Sequence, residues 1–205
     1  MRAITLWQPW ASQIFDPVEP KDVENRSTLR APEALWETVW APPNPPRPGV
    51  ININTGQRPF FAIHAGLRYD LAPGMLARGA EVDGWPFPAG VRVPERSECP
   101  LGAVIGVVRL RHGWDSRTHT TFGVDDPPAG TFDAQAMPLS RWWLGPIGWR
   151  LKDAIKLSEP VPCRGMLGCW TLPPDVEALV RVQLAAHEQR ERERVAREMA
   201  RGEER

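Results

Sequence analysis

Two segments of the chain are apolar at consecutive positions. Pro59-Phe60-Phe61-Ala62-Ile63-His64-Ala65 and Leu101-Gly102-Ala103-Val104-Ile105-Gly106-Val107-Val108-Arg109-Leu110 leave no face for solvent. Both are predicted as strands buried on both sides. Trp149–Leu157 alternates apolar and polar residues and reads as a further strand. Ala3–Leu6 reads as a short strand, Val23–Ser27 as extended, and Met166–Leu172 as holding a last short strand or helical turn.

Helical spacing appears at Trp7–Phe15, where Pro9 suits a first turn and Trp7, Trp10 and Ile14 recur at three and four. Ala34–Trp40 reads as a helical turn and Arg68–Arg78 as a short helix. Trp114–Ser140, rich in Gly, Pro and Thr, reads as a long loop, and Pro162–Gly165 as a turn. The pattern changes at Pro173. Pro174 suits the first helical position, Asp175 and Glu177 the first turn, and Val176, Leu179, Val180 and Leu184 form an apolar stripe. Beyond His187 the helix is almost free of apolar residues. Glu188–Arg192, Glu193–Arg197 and Arg194–Glu198 are opposite charges four residues apart.

Short strands, short helices and long loops together predict an α+β fold. The expected architecture is a small, mixed, partly open β-barrel with short flanking helices and a long C-terminal helix. Residues 1–173 form one domain carrying proline-rich loop insertions, and 174–205 a charged helical extension. The 205 residues suffice for one core. The 23 prolines concentrate at Pro42–Pro48, Pro86–Pro100 and Pro127–Pro128, marking surface excursions.

Net charge is zero, so global charge points to neither nucleic acid nor an acidic membrane. The tail has six Glu and six Arg from 188 onward and is neutral, unlike a basic nucleic-acid arm. Only three of the 25 basic residues are Lys, at 21, 152 and 156. The rest are Arg, which suits planar contacts to phosphate or bases, although a codon bias would give the same count. Cys99, Cys163 and Cys169 show no disulfide or zinc spacing. No cofactor or metal motif, signal sequence or membrane-length apolar run is present, so the chain reads as cytoplasmic.

The candidate chemistry starts at Lys21-Asp22-Val23-Glu24-Asn25-Arg26. In an extended segment Glu24 and Arg26 share a face. They form either a carboxylate–guanidinium pair at the barrel rim or, with Lys21, a polar cleft for a base or phosphate. Of the nearby tryptophans, Trp10 is expected in the core and Trp7 or Gln8 toward the cleft, where an indole would stack on a base. His64 is either a satisfied core histidine or a cleft residue. Arg164, in Cys163-Arg164-Gly165, either binds phosphate or bonds to turn carbonyls.

Several of these segments, in order, resemble the ASCH domain, a branch of the PUA-like β-barrel superfamily. They are Leu6-Trp7-Gln8-Pro9-Trp10-Ala11, the Lys21-x-x-Glu24-x-Arg26 motif, Phe61–Ala65, Gly102–Val108, Trp149-Arg150-Leu151 and Pro160–Trp170. Glu19 stands where the family pattern has glycine. The resemblance implies a PUA-like barrel with a cleft between barrel and first helix, lined by Lys21, Glu24 and Arg26. The fold is associated with RNA binding and with modified bases. Some members hydrolyse acetylated cytidine, and a ribonuclease activity belongs to the family too. In the amidohydrolase-like members a threonine acts at the position of Glu24, and a carboxylate cannot replace that hydroxyl in the same mechanism.

The leading expectation is therefore a cytoplasmic domain that binds RNA or a modified nucleotide, with DNA as a variant and no catalysis of its own. Its ligand-binding residues are Trp7, Gln8, Lys21, Glu24, Arg26, His64 and Arg164. The alternatives are a hydrolase on modified nucleosides or a ribonuclease, in which Lys21 would activate or polarise and Glu24 act as general base, and a protein-interaction module using the C-terminal helix and the proline loops. No membrane partner is expected.

Overall fold

The structure is a computed structural model describing residues 1–26, 60–70, 88, 90–117, 120–122 and 140–203. The side chains of residue 26, residues 111, 112, 114 and 115, residues 120–122 and residues 202–203 fall outside the description. The turn expected at Ala34–Trp40, most of the helix expected at Arg68–Arg78 and the centre of the loop expected at Trp114–Ser140 also lie outside the described residues.

The fold is α+β. Strands β1 (Arg2–Gln8), β2 (Val23–Arg26), β3 (Phe61–Tyr69), β4 (Ala103–Asp115), β5 (Thr120–Phe122), β6 (Ile147–Pro162) and β7 (Cys169–Thr171) build one mixed sheet. Helix α1 spans Trp10–Gln13 and helix α2 Pro174–Glu203. The sheet order is β2-β6-β4-β3-β1-β7, with β5 paired to β4 and no closure between β2 and β7. Among the described strands only β1 and β3 run parallel; every other described pairing is antiparallel.

Strands β4 and β6 are long, 13 and 16 residues, and their ladder slips at three places. Such slips let a long antiparallel pair bend. The bend is visible in side-chain parity. Ile105, Val108 and Leu110 belong to one core cluster, while Val104 and Val107 belong to the other. Gly106 stands at the slip because a Cβ there would lie 2.3 Å from Phe15 Cζ and 2.7 Å from the Ile155 carbonyl.

Each face of the sheet thus has its own core. On one face Ile4, Leu6, Phe61, Ile63 and Trp149 pack with Ala11, Ile14 and Phe15 of the α1 turn. On the other, Ala3, Ala62, Val104, Leu157 and Trp170 pack with Val176, Val180 and Leu184 of α2. Burial on both sides is why β3 and β4 read as apolar runs.

Two local expectations are corrected. Trp7 and Gln8 are strand, not helix: the ladder to β3 runs on to Gln8↔Tyr69, and only Trp10–Gln13 is helical. Sheet hydrogen bonding outweighs the three-and-four spacing there. Leu179 is exposed, so the buried stripe of α2 is Val176, Val180 and Leu184. Leu179 stands only one residue before Val180 and so falls off the docking face. The first turns of α2 therefore belong to the core. Gln183 adds a clasp to β6, accepting from Ser158 Oγ at 2.8 Å and donating to the Glu159 carbonyl at 2.9 Å. No described helix is long and apolar enough to cross a membrane.

Candidate functional site

The β2 segment is held at both ends. The Lys21 amide donates to the Gln13 carbonyl at 2.8 Å, tying it to the α1 turn. The Leu151 amide donates to the Asp22 carbonyl at 2.8 Å, just ahead of the β2–β6 ladder. Because residues 21 and 22 precede the strand, Lys21 curls back within reach of Glu24. Its Nζ forms an ion pair with Glu24 Oε2. Lys21 is 4% and Glu24 6% exposed. The Trp10 ring lies over Lys21, with Nζ 5.9 Å from its centroid.

The neighbouring polar side chains are also occupied. Asp22 accepts from Ser140 Oγ at 2.5 Å and pairs with Arg150 at 2.9 Å. Asn25 donates to the Trp142 carbonyl at 2.8 Å and accepts from the Leu144 amide at 2.9 Å. These bonds pin residues 140–144 across β2. Here Val23 and Trp142 form a small cluster with Trp10, Val91, Val93 and Trp143. Arg26 pairs through its backbone with Ile147, and its side chain lies outside the described residues. Lys21 and Glu24 thus meet under a closed surface.

Gln8, expected at the cleft, is fully buried. Its Oε1 accepts from the Ser12 amide at 3.0 Å and its Nε2 donates to the Pro100 carbonyl at 2.8 Å. It anchors α1 to the sheet and has no side-chain surface for a ligand. Trp10 packs with the Val23–Trp142 cluster, as expected of a core residue.

Trp7 and His64 lie on the other face of the sheet, and Arg164 belongs to the segment that covers His64. Alternation along β1 turns Leu6 toward the α1 face and Thr5 and Trp7 toward the opposite one. The parallel register sets Thr5 beside His64. On that face Trp170 donates its indole N–H to Thr5 Oγ1 at 3.1 Å and meets His64 edge-on at 5.7 Å between centroids. Gly66 keeps the strip flat, since a Cβ there would already touch Thr5 Cγ2 at 3.3 Å. Trp7 is 48% exposed, and the Arg68 guanidinium lies 3.9 Å from its ring centroid. Arg164 is exposed, one residue before Gly165, which abuts both Thr5 and His64.

His64 itself is 2% exposed. Its Nε2 lies 3.0 Å from the Cys163 carbonyl. A carbonyl only accepts, so Nε2 carries the proton and Nδ1 a lone pair. That Nδ1 has no hydrogen-bond partner. Burial lowers the histidine's pKa below its usual value, opposed by the bond to the Cys163 carbonyl. Burial likewise pushes the Cys163 thiol up, despite its contact with Val104.

Sequence reasoning missed Thr5, Arg68, Gly165 and Trp170. The parity signal for Thr5 and Trp7 was present but was hidden by reading Trp7 as helical. The α2 tail has the three predicted ion pairs, with Arg194–Glu198 the tightest at 2.7 Å, and they pair Arg192, Arg194 and Arg197 with carboxylates. Among the described residues no group of three or more His, Cys, Asp or Glu could hold a metal ion. No protein-family model matches the chain, and no curated protein matches it.

Proposed function

We propose that this protein is an ASCH-like, PUA-like domain that binds RNA or a single nucleotide. We place the binding surface at the Trp7–Arg68 end of the β1–β3 pair, on the face that packs against α2 farther along. The observation that carries this reading is the half-exposed Trp7 with the Arg68 guanidinium stacked on it. An indole left in the open at a strand position flanked by buried Leu6 and Gln8 forgoes burial that its neighbours obtain. A flat aromatic surface beside a fixed guanidinium matches a base and its phosphate. Arg164, exposed on the segment that covers His64, is a further cation for the same ligand. The Lys21–Glu24 pair supports this surface from the opposite face, as part of the α1 mount.

The test is fluorescence anisotropy with an end-labelled 12-nucleotide single-stranded RNA at low salt, with DNA and mononucleotide competitors. Trp7→Ala is expected to cost about 1–3 kcal/mol of binding. Arg68→Ala is expected to flatten the dependence of log K on log salt by about one phosphate contact. Absence of binding to RNA, DNA and nucleotides alike at low salt would overturn the reading.

A further inference from the structure

The segment between β6 and β7, residues 163–168, lies across the His64 face. Its entry is tied by the Cys163 amide, which donates to the Gly102 carbonyl at 3.1 Å. Its exit joins β7, where Cys169 pairs with Ile4. Among the described residues no backbone hydrogen bond holds 164–168 between those anchors. Arg164, Met166 and Leu167 project to solvent, and Gly168 takes a positive φ of 70°.

Between those anchors the segment packs on one imidazole. His64 Nε2–H donates to the Cys163 carbonyl, and Gly165 sits directly against the other edge of the ring. A Cβ on Gly165 would lie 2.4 Å from His64 Cε1, 2.5 Å from Nδ1 and 2.8 Å from Thr5 Oγ1. Only glycine permits this approach. It also shuts water and any acceptor away from Nδ1. A second proton on the ring would point an N–H at a backbone that offers no partner, in a buried place where a charge is costly.

We propose that His64 is a proton-operated latch: neutral, it holds residues 163–168, Arg164 among them, closed over its ring; protonated, it releases them. The groups facing His64 are Thr5 from β1, Trp170 from β7, and Cys163 and Gly165 from the segment itself. No charged side chain among the described residues contributes to its titration. The sign follows from linkage. The closed state binds the proton less well than the open one, so closure is complete above about pH 6.5 and weakens as pH falls. The nucleotide-binding consequence, weaker binding in acid as Arg164 is freed, rests on the reading of the Trp7 surface given above. The latch does not.

Amide hydrogen exchange of the whole chain at pH 7.5 and 5.0, corrected for intrinsic rates, tests it without any ligand. Opening of 163–168 is expected to rise by up to roughly 30-fold between those values, relative to β3 and β4. His64→Gln is expected to remove the pH dependence, and Gly165→Ala to leave the segment open at both values. Unchanged protection across the range, or the same change in His64→Gln, overturns the proposal. Should His64→Gln not fold, the ring nitrogen shifts of His64 in the native protein decide. A segment that opens while Nδ1 stays unprotonated overturns the latch. RNA affinity measured at both values is a separate arm: a failure to bind leaves the exchange result standing, and an unchanged exchange pattern leaves the binding surface standing.

Discussion

Lys21 and Glu24 are three residues apart and form an ion pair that the fold has sealed beneath Trp10. Both charges have left water, so the pair is held by its own geometry and by the cost of separating it. Removing either partner breaks a buried ion pair and leaves the remaining charge without its counter-charge from that pair. Glu24→Gln and Lys21→Met are each expected to destabilise the protein by about 3–5 kcal/mol. The double change Lys21→Met with Glu24→Leu is expected to cost less than either single change. Urea denaturation of the three variants checks this, and a double variant that is the least stable would refute the sealed pair.

Asn25 is the clasp between β2 and residues 140–144. Asn25→Ala leaves the Trp142 carbonyl and the Leu144 amide without their side-chain partners. Such a loss costs about 1–3 kcal/mol. Asn25→Asp keeps the acceptor for Leu144 but turns an oxygen toward the Trp142 carbonyl, so it is expected to rescue little. Thermal denaturation of both variants provides the measurement.

Gly106 makes room for Phe15. Gly106→Ala drives a Cβ into the ring and into the Ile155 carbonyl. The expected cost of this overpacking is about 1–3 kcal/mol. Phe15→Leu should relieve the ring contact but not the carbonyl contact. A double-mutant cycle is therefore expected to show coupling of at least about 0.5 kcal/mol, with incomplete recovery.

Helix α2 divides at His187. Leu184→Ala empties a buried position and is expected to cost about 2–5 kcal/mol. Leu179→Ala touches an exposed side chain and should fall within about 0.5 kcal/mol of the native protein. Truncation after residue 187 keeps Val176, Val180 and Leu184 in place, so the midpoint of denaturation should hold. A large drop on truncation would mean that the charged turns carry a contact the docked turns do not.

The local elements were largely legible because their causes are local. Doubly buried strands show as apolar runs at Phe61–Ala65 and Ala103–Leu110, each interrupted by a single polar residue, His64 and Arg109. Helix α2 starts at Pro174, and its ion pairs follow from the helical rise alone. The α+β class and the long C-terminal helix were readable from the same patterns.

Side-chain destinations were a different matter, because they are set by pairing between distant segments. Trp7 is strand because the β1–β3 ladder runs on to Gln8↔Tyr69, a fact that no window around residue 7 contains. The same register turns Gln8 inward to hold the Pro100 carbonyl and turns Trp7 outward to meet Arg68. His64 read more readily as a satisfied core histidine than as a functional one. Its role depends on Cys163 and Gly165, which lie about a hundred positions on in the chain. Hydrophobic periodicity determined which segments would be strands and which a helix. Sheet order and register, which exist only once the chain has closed on itself, decided which face each functional group occupies and which of them meet.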